Sequence, residues 1–193
     1  MDMRSAIRPI IVALVSIGLV VLVIVLIVKG ITGHASNPAP RIDITKYADT
    51  PAVATLLIDA PTNVDQDHRQ VRITVSNTQN QIDILQGYQG TVIKSQTYSN
   101  NSAAFATFLQ SVQLLGMPRG ISSHTDYRGY CAAGNRYVYT FNNGQKDLFS
   151  YWSTSCSGQG TFKGSPVGVR QQFERQIPQR DLATFTSSTN VIL

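Results

Sequence analysis

Tyr137-Val-Tyr-Thr-Phe-Asn-Asn-Gly-Gln-Lys-Asp-Leu-Phe-Ser-Tyr-Trp152 is the stretch on which the fold of this chain turns. Asn143-Gly144 is the dipeptide preferred in a two-residue type I′ turn, and β-branched and aromatic strand formers flank it on both sides. The spacing therefore predicts a β-hairpin, Tyr137–Phe141 against Leu148–Trp152. With 142 and 145 as the first hydrogen-bonded pair, Tyr137 faces Ser150. The same alternation carried outward sets Cys131 opposite Cys156 as a non-hydrogen-bonded pair, where Cβ atoms come closest. A disulfide is expected there. This register puts Tyr137, Tyr139, Phe141, Leu148 and Trp152 on the cysteine face. The other face takes Arg136, Val138, Thr140, Asp147, Phe149, Tyr151 and Ser153.

Upstream of the hairpin, Ala52–Asp59 reads as a strand ended by Pro61, and Val71, Ile73 and Val75 alternate with Arg72 and Thr74. Ile82–Leu85 and Thr91–Tyr98 flank a glycine-bearing turn at 87–90. Phe105, Phe108, Leu109, Val112 and Leu115 then fall on one helical face, with Asn100, Asn101 or Ser102 as cap, Gly116 at C′ and Pro118 beyond. Ser165-Pro166 opens a second helix with Val169, Phe173 and Ile177 as its stripe and Pro178 as its end. The expectation is an α+β domain over residues 51–180: an antiparallel sheet of five or six strands with two amphipathic helices packed on one face. The last residues, 181–193, are small and polar until Val191 and read as a disordered tail.

The amino-terminal part has a different character. Residues 9–28 carry no charge and, at about 1.5 Å per residue, span roughly 30 Å as a helix, the thickness of a bilayer's hydrocarbon core. The stretch exceeds a signal-peptide core and is read as a retained signal-anchor, a single-pass transmembrane helix that makes the lipid bilayer the first partner. Arg4 and Arg8 on one side and Lys29, Arg41 and Lys46 on the other leave the positive-inside rule nearly balanced. The paired cysteines break the tie toward an oxidising exterior, with residues 1–8 cytoplasmic and the domain outside the cell membrane. Residues 29–50, interrupted by Gly30, Gly33, Pro38 and Pro40, read as a flexible tether. The layout resembles that of bacterial envelope proteins, a similarity that brings no residue-level roles.

The formal net charge is +5, and charged residues make up only 14% of the chain with no block of like charge. That leaves room for a contact with an anionic surface polymer or an envelope protein. Nucleic acid is not the expected partner, because the register turns Tyr137 and Tyr139 away from Arg136 and forms no stacking platform. The hairpin's mixed face supplies the candidate contact residues Arg128, Arg136, Tyr151 and Ser153. Catalytic groupings are sparse. Asp126 stands two residues from His124 and could orient it as a base, but no Gly-x-Ser-x-Gly elbow supplies a nucleophile. The loop Asp65-Gln-Asp-His68 gathers two carboxylates and an imidazole without the rest of a calcium-loop pattern. No metal or cofactor is called for. The expectation is a membrane-anchored, non-catalytic binding or envelope-organising module. The alternatives are a cell-surface hydrolase using His124/Asp126 or the Asp65–His68 loop, and an inhibitor-like domain engaging a secreted enzyme.

Overall fold

The computed structural model describes residues 42–121, 126–156, 160–187 and 189. Six strands form one antiparallel sheet: β1 (Val53–Asp59), β2 (Arg69–Ser76), β3 (Gln79–Gln86), β4 (Thr91–Ser99), β5 (Arg136–Asn142) and β6 (Asp147–Thr154). Their spatial order is β4-β3-β2-β1-β5-β6. Three α-helices accompany them among the described residues: α1 (Ser102–Leu114), α2 (Pro166–Glu174) and α3 (Gln179–Ser187). The α+β class and the antiparallel sheet are thus as the sequence predicts. No helix among the described residues is long and apolar enough to cross a membrane, and the apolar stretch 9–28 lies outside them.

One face of the sheet is the core. Ladder pairing aligns Ile82, Ile73, Leu56, Tyr139 and Tyr151 in one row and Ile84, Val71, Ile58 and Tyr137 in the next. Phe105, Phe108 and Leu109 of α1, Val169 and Phe173 of α2, and Leu182 and Phe185 of α3 are buried in the same cluster. All three helices therefore lie on that face. Phe108 meets Phe173 edge-on with ring centres 5.0 Å apart, joining α1 to α2.

The helix ends follow local chemistry. The Asn101 side chain accepts the amide of Ala104, and the Ser165 side chain accepts that of Gly168, with Pro166 in the first turn. At the end of α1, Met117 N–H bonds Val112 C=O and Gly116 N–H bonds Gln113 C=O. This is a Schellman closure, and Gly116 takes the positive φ (81°) that it requires.

Three expectations change. The hairpin register differs: Tyr137 faces Ser153 rather than Ser150, an odd shift of three residues. Among the described non-glycine residues only Cys131 has a positive φ, so Asn143 does not adopt the geometry of a type I′ turn. Instead the Asn143 side chain accepts the amides of Gln145 and Lys146, and a bulge falls between Phe141 and Asn142. An odd shift turns every β6 side chain over. Phe149, Tyr151 and Ser153 therefore join the core face, and Trp152 passes to the other.

Residues 42–47, read from sequence as part of a tether, include positions packed against the domain. Ile44 is fully buried, its amide donates to Gln113 Oε1, and Gln113 Nε2 donates to Ile42 C=O. The predicted tail from 181 instead lies partly in α3, where Leu182 and Phe185 reach the core. Tyr98 O–H of β4 donates to Asp181 at 2.8 Å, and the Lys94 ammonium sits 4.2 Å from the centre of the Phe185 ring.

Candidate functional site

The cysteines are bonded, Cys131 to Cys156, with Cα atoms 5.7 Å apart. The bond lies outside the ladder rather than across it. Beyond Thr154 the chains stay joined by Ser155 N–H to Asn135 C=O, a register that places Cys156 beside Gly134. Residues 131–134 form a turn, closed by Gly134 N–H to Cys131 C=O, that brings Cys131 back to its partner. A Cβ on Gly134 would stand 2.6 Å from Cys131 Sγ and closer still to Ser155 Oγ, so the turn needs glycine. The pair is as predicted, but the predicted reason for it is not.

Of the expected contact residues, Arg128 is exposed and paired with Asp126 at 2.6 Å, an exchange that holds the Asp126 carboxyl below the usual range. Tyr151 and Ser153 are buried on the helix-covered face. Arg136 is 1% exposed and bound to Asp59. These four residues therefore do not form one surface. His124 lies outside the described residues, so the His124/Asp126 pairing has no geometry here.

The Asp65–His68 loop does not converge on one point either. Asp65 Oδ1 accepts the amide of Tyr88 at 2.7 Å, and Asp67 faces solvent. His68 turns inward, its ring stacked on Tyr88 with centres 4.1 Å apart. Its Nε2 meets Asp59 Oδ1 at 2.6 Å. Asp59, at the end of β1, also accepts from Gln70 Nε2 at 3.1 Å and Arg136 Nε at 2.7 Å. Arg136 further donates to Thr62 Oγ1 and Ala60 C=O. Tyr127 lies within electrostatic reach of this network: burial first, then the Asp59 charge, push its phenol up. His68 Nδ1 is buried without a hydrogen-bond partner among the described residues. The Asp59–His68 pair resembles half of a hydrolytic triad, yet its carboxylate is shared with a buried arginine and its imidazole is sealed. Such a network ties β1, β2 and β5 together at one end.

The surface that remains is the face of the sheet away from the helices. Successive ladder partners across it are Thr97, Gln81, Thr74, Thr55, Thr140 and Ser150. These hydroxyls and one amide form a single row over all six strands. At about 4.8 Å between strands the row is roughly 24 Å long. Thr97 and Ser150 are exposed and the four between them half-buried. The next row runs Ser95, Asp83, Arg72, Leu57, Val138 and Trp152, with Tyr130 leaning on Trp152 at 4.9 Å. Asp83 accepts from Arg72 at 2.7 Å, Gln81 at 2.7 Å and Ser95 at 2.6 Å. Burial alone would raise its carboxyl, but these donors outweigh that and hold it below the usual carboxylate range.

Sequence reasoning missed this row, because it appears only once non-adjacent strands are ordered and registered. The signal available was one small polar or amide residue at an alternating position of each strand: Thr55, Thr74, Gln81, Thr97, Thr140 and Ser150. Comparison with protein-family models, curated proteins and solved structures returned no match to this chain.

Proposed function

We propose that the chain is a membrane-tethered, extracytoplasmic binding module without catalysis, whose contact surface is the open face of the six-stranded sheet. The observation that carries the reading is the uninterrupted row Thr97-Gln81-Thr74-Thr55-Thr140-Ser150 on the side opposite α1, α2 and α3. The uncharged run 9–28 supports attachment to the bilayer, and the disulfide supports an oxidising exterior. The amino terminus then lies inside and the domain outside.

The two arginines on this face, Arg72 and Arg136, are each bound to a carboxylate. That favours an uncharged, hydroxyl- or amide-rich partner in the envelope over the anionic polymer that the overall charge suggests. Leu57 and Val138, half-buried in the middle of the neighbouring row, add apolar contact. The hydrolase reading is weaker, since the Asp59–His68 pair has no exposed edge for a substrate to reach.

The test is co-sedimentation of the full chain, in a non-sugar detergent, with purified cell-wall sacculi. The paired substitution Thr55→Arg/Thr140→Arg is compared with Val167→Arg on the exposed side of α2. Loss of binding in the first and retention in the second supports the reading. Equal loss in both, or retention in both, opposes it.

A further inference from the structure

The two edges of the sheet are unlike. Beside β6, the stretch 160–162 adds Phe162 N–H to Trp152 C=O and a bridge between Ser153 and Gly160. Beside β4 no strand pairs among the described residues, and every residue of β4 except Tyr98 is exposed. Asn100 N–H bonds Thr78 C=O, and Ser99 faces Gln79. Alternation along the ladder then turns the main-chain groups of Tyr98, Gln96 and Lys94 toward β3 and those of Ser99, Thr97 and Ser95 outward. Natural edges are usually blunted by proline, charge or bulges. β4 has no proline, and its one charge, Lys94, rests on Phe185. Its register shift falls at the turn end, leaving Lys94–Ser99 regular.

We infer that β4 pairs antiparallel with β4 of a second copy of this chain, about a two-fold axis through Thr97. That register sets Ser95 opposite Ser99 of the second copy and Thr97 opposite Thr97. It joins the three outward pairs by about six main-chain hydrogen bonds. It also avoids the irregular turn end. Each Lys94 stands opposite Asn100 of the other copy, six positions along from the other Lys94, so no like charges meet. Thr97 is the terminal member of the open-face row, so the pairing continues one row of hydroxyls from copy to copy. A foreign extended peptide would use the same main-chain groups, but nothing in its side chains is specified by this edge, whereas the two-fold register is specified by the strand itself. A strand edge buries less than the roughly 1,200 Å² of a standard interface, so the pair is transient and covalent trapping is the suitable readout.

Both native cysteines are bonded to each other, so an introduced thiol reports alone. Thr97→Cys, Ser95→Cys, Ser150→Cys and Leu114→Cys full chains in detergent micelles are oxidised with copper phenanthroline, and dimer is measured on non-reducing gels. The expected result is crosslinking at least tenfold faster at 97 than at 150 or 114. Adding Ser99→Pro to Thr97→Cys removes an outward amide without touching the bonds to β3, and is expected to slow crosslinking at least tenfold with an unchanged melting temperature. Equal rates at all positions, fastest crosslinking at 95, or a rate at 97 insensitive to Ser99→Pro would each overturn the inference. If Ser99→Pro lowers the melting temperature, Thr97→Cys with added ten-residue β4 peptide as competitor decides: slowing supports pairing, no slowing overturns it.

Discussion

Replacing Asp59 by alanine perturbs the account at its most buried point. The carboxylate accepts from His68, Gln70 and Arg136, and both Asp59 and Arg136 are 1% exposed. Removing one member of a buried ion pair costs about 3–5 kcal/mol, because the other charge stays behind unpaired. Arg136 keeps Thr62 Oγ1 and Ala60 C=O, so the lower end, about 3 kcal/mol, is expected. For a domain stable by about 5–15 kcal/mol this leaves a folded but weakened protein. Trp152 is the chain's only tryptophan and is buried, so its fluorescence follows urea unfolding of this domain in the full chain. With a slope of about 1.5–2 kcal/mol per molar, the midpoint should fall by roughly 1.5–2 M. Asp59→Asn, which keeps an acceptor, should cost less. The triple replacement Asp59→Leu/His68→Phe/Arg136→Met should cost less than the three single costs together, since it removes the charges jointly. A loss below about 1 kcal/mol for Asp59→Ala would refute the reasoning, because it would mean that water already reaches the pair.

Other outcomes follow from the same geometry. Asp83 is held below the ordinary carboxylate range, so its contribution is complete above about pH 4 and is lost as pH falls through the depressed value. Asp83→Asn should therefore flatten the acid limb of a stability-versus-pH curve and lower stability at neutral pH. The Tyr98 phenol is pushed up to about 12 by burial and then by its bond to Asp181. Its share of stability is full below about pH 10 and lost as pH rises through about 12, and Tyr98→Phe should abolish that alkaline step while costing about 1 kcal/mol in urea melts. Gly160 has φ of 138°, and a Cβ there would lie 2.9 Å from Ser153 Cα and closer to Trp152 C=O, so Gly160→Ala should lose about 2 kcal/mol and alter the Trp152 emission.

Local signals were legible from sequence wherever local physics decides the outcome. The α1 stripe from Phe105 to Val112, its Gly116 closure and the Ser165-Pro166 start of α2 depend on residues within a few positions of one another, and each appears as read. The hairpin was legible in kind but not in register, because two asparagine side chains capture turn amides and a bulge absorbs a residue. Arg136 looked like a surface charge because Asp59, its partner, lies 77 positions away and faces it only through β1–β5 pairing. Helix α3 was missed because Leu182 and Phe185 are its only buried positions, and the contacts that hold it, Lys94 on Phe185 and Tyr98 on Asp181, come from a distant edge strand. The open-face row is legible only from the strand order.

Site-specific photo-crosslinking in intact cells tests the central claim most directly. Benzoylphenylalanine is placed at Thr74 or Thr140, on the open face, and at Val167, exposed on the helix side. The account predicts covalent adducts at 74 and 140 and none at 167. Adducts confined to 167 would contradict it.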